Sequence, residues 1–256
     1  MIRRLTIGLM MLIPLSVMAQ GHELGLWTSV GVDKKFGKKW EIGADAEYRM
    51  RDKISTTDRA SIGVSASYKA SKWLKASAGY EYLHTRQEGS YSSSGKYYNS
   101  TYWYPRHRIQ LSLTGSWRLS KRIKLSLRER WQYTYRASFE QNRINVNEFS
   151  KNFKEVSQKR INGKSKNMLR SKLSVSYNIP KCKFEPFTSV ELYSGMANGD
   201  DCFGVTEKLR YSLGTEYKID KKNSVEAYYI YQDYKTNDID EEEGAHIIGI
   251  RYNHSF

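Results

Sequence analysis

Cationic side chains recur at every second position in several stretches of this 256-residue sequence, and they are its most chemically suggestive feature. Arg106 and Arg108, Arg128 and Arg130, Arg170 and Lys172, and Lys208 and Arg210 all follow this spacing. On a β-strand, residues two apart lie on one face. A closed sheet with these side chains inside would hold a basic lumen that admits or binds anionic solutes, as rings of Arg and Lys do in anion pores. The candidate lumen residues are Arg106, Arg108, Arg128, Arg130, Arg170, Lys172 and Arg210. A competing expectation uses the same positions differently. Asp45, Glu47, Arg49, Arg51, Glu81, Lys124, Glu216 and Arg251 share the inward register, and a narrow interior can be filled by ion pairs with no passage left.

Other chemistries find less support. His22, His84, His107, His246 and His254 show no metal-ligand spacing, and no catalytic, metal or cofactor residues are assigned. A lipid-modifying enzyme would need a nucleophile with His in hydrogen-bond reach, and Ser is too common here for sequence proximity to identify one. The acidic run Asp238, Asp240, Glu241, Glu242 and Glu243 offers oxygen ligands suited to Ca²⁺, but lacks an EF-hand pattern and reads equally as a solvated loop.

The elements that would position the cations have a period of two. Trp40, Ile42, Ala44, Ala46, Tyr48 and Met50 alternate with polar neighbours, as do Ile109, Leu111 and Leu113, or Leu209, Tyr211 and Leu213. Each such segment has one apolar and one polar face. Eleven segments read this way, at about 23–33, 40–51, 58–69, 74–86, 106–119, 122–136, 166–179, 183–194, 204–219, 223–235 and 244–256. Strands of soluble proteins usually run ~5–6 residues, whereas a tilted strand needs ~9–11 to cross a bilayer. The fold class is therefore all-β: an antiparallel up-and-down transmembrane β-barrel. Single-chain bacterial barrels normally have an even strand number, so the expectation is ten to twelve strands, with the first segment a candidate to lie outside the wall. Glu129 falls on the predicted lipid face, and a bulge that re-aims it is the expected repair.

The connections alternate in kind. Short basic ones, such as Ala70-Ser71-Lys72 and Ser120-Lys121, alternate with long polar ones, such as Ser90 to Tyr104 and Ala137 to Lys164. Outer-membrane barrels have short periplasmic turns and longer extracellular loops, with aromatic girdles at both interfaces. Clusters such as Tyr102-Trp103-Tyr104 and Tyr228-Tyr229 with Tyr231 fit the girdles, although Tyr and Trp favour any sheet.

Export is written at the start of the chain. Arg3 and Arg4, an apolar run from Leu5 to Val17, and Val17-Met18-Ala19 have the order of a secretory signal peptide. Cleavage is predicted after Ala19, giving a signal peptide at 1–19 and an outer-membrane barrel domain at 20–256. The formal charge of +15 falls to +13 once Arg3 and Arg4 leave. A basic chain with 13% aromatics can suit nucleic acid, but export argues against that partner. Cys182 and Cys202 flank a predicted strand, whose ends stand tens of ångströms apart at ~3.3 Å per residue. A disulfide between them is not expected, unless the segment folds back as a hairpin.

Gly25-Leu26-Trp27-Thr28, the stretches Tyr104 to Arg108 and Leu127 to Thr134, Leu169-Arg170-Ser171, Tyr177 to Cys182 and the Tyr- and Phe-containing last strand together resemble an uncharacterised outer-membrane β-barrel family of Bacteroides-type bacteria, a domain of unknown function. The resemblance covers nearly all of the mature chain. It implies barrel and compartment and carries no activity. Ile248, Ile250, Tyr252 and the terminal Phe256 share one face and resemble the C-terminal signal by which such barrels meet their assembly machinery, with His254 interrupting the apolar set. The expected protein is a Gram-negative outer-membrane barrel, either a non-enzymatic narrow channel or a structural envelope protein. The alternatives are a lipid-modifying barrel enzyme and a secreted lipid-binding barrel. Its expected partners are outer-membrane lipids and, during biogenesis, the β-barrel assembly machinery and periplasmic chaperones.

Overall fold

The computed structural model describes residues 23–92, 94–146, 157–196, 206–234 and 245–256. The predicted signal peptide, the acidic run at 238–243 and Cys202 lie outside these residues. The wall is made of eleven strands: β1 (Glu23–Phe36), β2 (Trp40–Arg51), β3 (Thr56–Lys69), β4 (Leu74–Gln87), β7 (Tyr102–Arg118), β8 (Ile123–Arg136), β11 (Lys164–Tyr177), β12 (Phe184–Met196), β13 (Thr206–Lys218), β14 (Asn223–Tyr234) and β15 (Ala245–Ser255). They follow one another around a closed barrel in chain order. Four short strands, β5 (Ser90–Tyr91), β6 (Tyr97–Asn99), β9 (Phe139–Asn145) and β10 (Ser157–Ile161), form a separate sheet from the two long connections. This small sheet went unread in the sequence, where both connections pass as loops.

The eleven strands fall within the expected ten to twelve, although the usual preference for an even number does not hold. β1 is part of the wall and closes it against β15 in parallel, from Glu23 opposite Ala245 to Asp33 opposite Ser255. The other pairs in the wall are antiparallel. Each hairpin reverses direction, so an odd number of strands makes the first and last run the same way. Side chains lock this seam at its turn end. The Asp33 carboxylate accepts bonds from Asn253 Nδ2 at 2.8 Å and the Ser255 hydroxyl at 2.7 Å, and its carbonyl accepts from the Phe256 amide at 2.9 Å.

Local chemistry sets the tight connections. At the turn end, Ser71 Oγ accepts from the amides of Trp73 and Leu74, Ser120 Oγ from those of Arg122 and Ile123, and Asp220 Oδ1 from those of Lys222 and Asn223. Short oxygen-bearing side chains replace a backbone turn in this way. The Asn223 side-chain amide also donates to Asp220 and, with those two backbone amides, holds its carboxyl below the ordinary range. Gly37, between β1 and β2, has φ +64°, a conformation that glycine adopts without a Cβ penalty.

The outer face is apolar. Ile62, Val64, Leu111, Leu113, Leu173 and Leu213 are exposed along it, with Trp40, Trp73, Trp117 and Phe184 towards the turn end and Trp103 and Tyr135 towards the loop end. A secreted lipid-binding barrel would turn this face inward. Ile248, Ile250 and Tyr252 stand on the same outer face of β15, and Phe256 is exposed beyond it.

Glu129 keeps its outward place. β8 runs in unbroken register against both β7 and β11, so the expected bulge is absent. The register shifts lie elsewhere, at Arg49/Met50 and at Tyr193/Ser194. Ser171, directly opposite on β11, donates its hydroxyl to Glu129 at 2.5 Å. Residues 184–196 form one strand rather than a hairpin, and Cys182 is exposed in the turn before it.

Candidate functional site

The lumen is built from two unlike walls. Strands β7, β8 and β11 contain one carboxylate, Glu129, and it faces outward. Their inward positions carry Arg106, Arg108, Arg128, Arg130, Arg170 and Lys172. Four of the cross-strand pairs in this wall are like-charged: Arg170 opposite Arg130 and Lys172 opposite Arg128 at mid-strand, with Lys164 opposite Arg136 and Arg118 opposite Lys124 near the ends. The inward carboxylates come from other strands: Asp33 on β1, Glu41, Asp45 and Glu47 on β2, Glu81 on β4, Glu185 and Glu191 on β12, Glu216 on β13 and Glu226 on β14, among others.

Where the walls meet, Glu191 is the hub. Only 3% of it is exposed. Arg128 Nη2 donates to its Oε1 at 2.8 Å, Arg170 Nη2 at 2.9 Å, and Arg210 Nη1 lies 3.5 Å from Oε2. The Tyr193 hydroxyl donates to Oε2 at 3.0 Å and accepts from Arg170 Nη2 at 2.8 Å. Arg170 reaches Gln132 at 3.1 Å, and Arg210 reaches Gln232 at 3.0 Å. Charge-assisted bonds of this kind are the strong ones. A second centre forms at Glu81, which accepts from Arg108 and Gln110, each at 3.0 Å. Arg130 donates to the Ser112 hydroxyl at 3.0 Å.

Trp27 reaches into the lumen at this level. It faces inward and is 5% exposed, packed with Ile230, Ala245, Ile247 and Tyr228. The Arg49 guanidinium lies 3.4 Å from the Trp27 ring centroid and that of Arg210 4.9 Å. β13 is separated from β1 by β14 and β15, so the Arg210–Trp27 contact is a chord across the interior rather than a neighbour contact. Gly249 makes room for the Tyr228 ring, which a Cβ at that position would overlap. Arg106 lies nearer the loop end, its guanidinium 4.8 Å from the ring centroid of Tyr104, and Phe139 of β9 stacks on that same ring at 5.9 Å.

Towards the turns the lumen holds a cavity of about 320 Å³ lined by Asp33, Asp45, Glu216, Glu226, Arg251 and Asn253 among others. No group of three or more His, Cys, Asp or Glu among the described residues could hold a metal ion. The described histidines sit on the outer face. His107 pairs with Tyr80 and His254 with Asn223 at 2.7 and 2.8 Å, His246 pairs with Tyr229, and His84 stacks on Trp103.

The seven basic positions singled out in the sequence thus all project inward. Arg128, Arg170 and Arg210 converge on Glu191, Arg108 goes to Glu81, and Arg106 stands apart near the loops. Sequence reasoning missed Glu191 and Trp27. Glu191 was legible, since it alternates with Val190 and Leu192 on a strand with an apolar outer face. Trp27 was not, because an apolar side chain in a membrane strand reads as lipid-facing.

The family model described as Protein of unknown function (DUF2490) matches residues 24–243. Among curated proteins, none matches the chain significantly. The translocator domain of the autotransporter NalP from Neisseria meningitidis superposes with a TM-score of 0.53 at 13% identity, covering 79% of this chain and 71% of that one. The beta domain of the Bordetella autotransporter BrkA does so with a TM-score of 0.50 at 12% identity, covering 83% and 79%. These likenesses establish the fold of an outer-membrane β-barrel. With its family model spanning the wall from β1 to the last long connection, the chain belongs to the DUF2490 family, proteins of unknown function.

Proposed function

We propose that this protein is a non-enzymatic barrel of the Gram-negative outer membrane, exported by a signal peptide cut after Ala19, whose lumen is a narrow conduit preferring small anionic solutes. Its turns face the periplasm and its long connections the outside. Lipids surround the belt, and the Ile248, Ile250, Tyr252 and Phe256 face serves assembly through the machinery and chaperones of the periplasm. The family resemblance noted in the sequence supports a source among Bacteroides-type bacteria.

The carrying observation is the like-charge pairing in the basic wall, Arg130 with Arg170 and Arg128 with Lys172. Like charges directly opposite on a sheet are destabilising. Glu191 answers Arg128 and Arg170, one member of each pair, whereas no carboxylate among the described residues forms an ion pair with Arg130 or Lys172. Cation surplus on one wall leaves room for a mobile counter-anion. The chord from Arg210 to Trp27 favours a second reading, a closed barrel with a structural role in the envelope.

Planar-bilayer recording under a KCl gradient separates the two. Anion conduction gives a small conductance with a reversal potential on the chloride side, and Arg128→Glu with Lys172→Glu moves it towards cations. Heat-modifiable, membrane-inserted protein that conducts nothing would leave the structural reading.

A further inference from the structure

We infer that the turn end of the barrel is a collar for anionic phospholipids, in which Lys34, Lys39, Arg122 and Lys183 hold headgroup phosphates of the periplasmic leaflet, a role that rests on the membrane reading above. Residues 34–39, 69–73, 118–122, 178–183 and 218–222 span the five connections at this end. Together they contain fourteen Lys and Arg against one carboxylate, Asp220. That carboxylate is taken up by Asn223 and the turn amides. A surface so one-sided in charge attracts anions.

The girdle decides which anions. Lys34 Nζ lies 5.7 Å from the ring centroid of Phe36, Lys39 Nζ 5.7 Å from that of Tyr68, and Lys183 Nζ 5.9 Å from that of Tyr217. Arg122 Nη1 donates to the Tyr177 hydroxyl at 3.4 Å. Trp40 packs on Tyr68 at 4.9 Å and Phe184 on Tyr217 at 4.8 Å, which widens two of these ring surfaces. The rings stand on the outer face, and Val32, Ile42 and Val175 follow them outward along their strands. A lipid whose chains lie on that apolar surface brings its phosphate to the level of the rings and their cations. Long cationic side chains lay their stems on apolar surface and keep the charge at the interface, where basic groups are drawn to anionic headgroups. A soluble acidic partner would meet the turn tips and leave these outward cations unused. The loop end is built differently: its outward rings take histidines, His107 beside Tyr80 and Tyr82, His84 on Trp103, and His246 beside Tyr229 and Tyr231.

The full mature protein would be reconstituted in phosphatidylcholine vesicles carrying a trace of spin-labelled phosphatidylglycerol or spin-labelled phosphatidylcholine, and the motionally restricted fraction of each label compared. At low salt phosphatidylglycerol should associate several-fold more strongly. The excess should shrink at about 1 M salt, where charges are screened beyond about 3 Å. Lys34→Gln, Lys39→Gln, Arg122→Gln and Lys183→Gln together should bring the ratio close to one. The same loss of charge at the loop end, by Lys96→Gln, Lys159→Gln, Arg160→Gln and Lys164→Gln, should leave it high. Equal association of both lipids with the inserted wild type, a ratio that survives the turn-end substitutions, or one that falls as far with the loop-end set would overturn the collar. If the turn-end variant fails to insert, the salt dependence of the wild type decides alone. Heat-modifiable gel mobility reports insertion separately: inserted protein without the preference defeats this inference alone, whereas protein that never inserts defeats the membrane reading as well.

Discussion

The wall formed by β7, β8 and β11 and the wall formed by β14, β15, β1 and β2 enclose the same lumen with different chemistry. The first carries arginine and lysine with no inward carboxylate, and sets Arg130 against Arg170 and Lys172 against Arg128. The second mixes Asp33, Asp45, Glu47 and Glu226 with Arg49, Arg51 and Arg251, and has Trp27 packed on Ile230 and Ile247. Interiors built only for stability interleave opposite charges, because desolvated ions are costly unless paired. Clustering cations on one wall gives up some stability and sets a field across the lumen. The cost is limited by Glu191, which reaches from β12 into the basic wall.

That dependence gives the largest effect. Glu191→Ala leaves Arg128, Arg170 and Arg210 without their carboxylate, and breaking a buried charge cluster costs about 3–5 kcal/mol. The denaturant midpoint of the heat-modifiable form should fall accordingly, whereas Glu41→Ala, whose partner Lys75 lies at 3.3 Å in a more exposed pair, should cost under about 1 kcal/mol. Equal losses would erase the difference between the walls.

Next comes the outer surface that both walls share. Leu111→Arg or Leu213→Arg should destabilise the barrel by about 2–4 kcal/mol at midplane depth, read by the same midpoint. Unaltered stability would mean that this face does not meet lipid.

A smaller change of opposite sign sharpens the comparison. Arg130→Gln removes one like-charge pair and should raise stability by about 0.2–1 kcal/mol, while the reversal potential moves away from chloride. A variant both less stable and unchanged in selectivity would make the basic wall mere filling.

The least effect belongs to the turn end, outside either wall. The Asp220 carboxyl is held below its ordinary value of 3.8, so its charge favours the folded state above that pH and ceases to do so as the pH falls through the lowered value. The stability gap between the wild type and Asp220→Asn should be present at pH 7 and vanish in acid, as followed by thermal melts at both pH values.

Most of the wall was legible because a period of two is written directly into the chain. Segments such as 40–51 and 223–235 match β2 and β14 nearly residue for residue. The strand number was legible too, since the eleven segments correspond to the eleven strands of the wall; only the preference for an even count, which made the first segment a candidate to lie outside it, misled. Three misreadings share one physical cause: the rule that apolar points outward and polar inward is a statement about averages. Trp27 points in because the guanidinium groups of Arg49 and Arg210 give its ring polar company. Glu129 points out because Ser171 gives it a hydrogen bond. Tyr104, 1% exposed, turns in beneath Phe139, part of a loop-end cap for which the connections give no periodic signal. The basic candidates were legible as a face, whereas their hub on another strand required the closed sheet to bring it near.

The seam between β1 and β15 has a kinetic consequence. Ser255 meets Asp33 across 222 positions of sequence, while the other wall partners are joined by the connections between successive strands. Closing so long a loop carries the largest entropic cost of any pairing in the wall, and non-local contacts of this kind are the slow ones. The open sheet would therefore be complete before its edges find each other. Until that moment β1 and β15 both present unpaired backbone, a sticky state that a chaperone would need to shield.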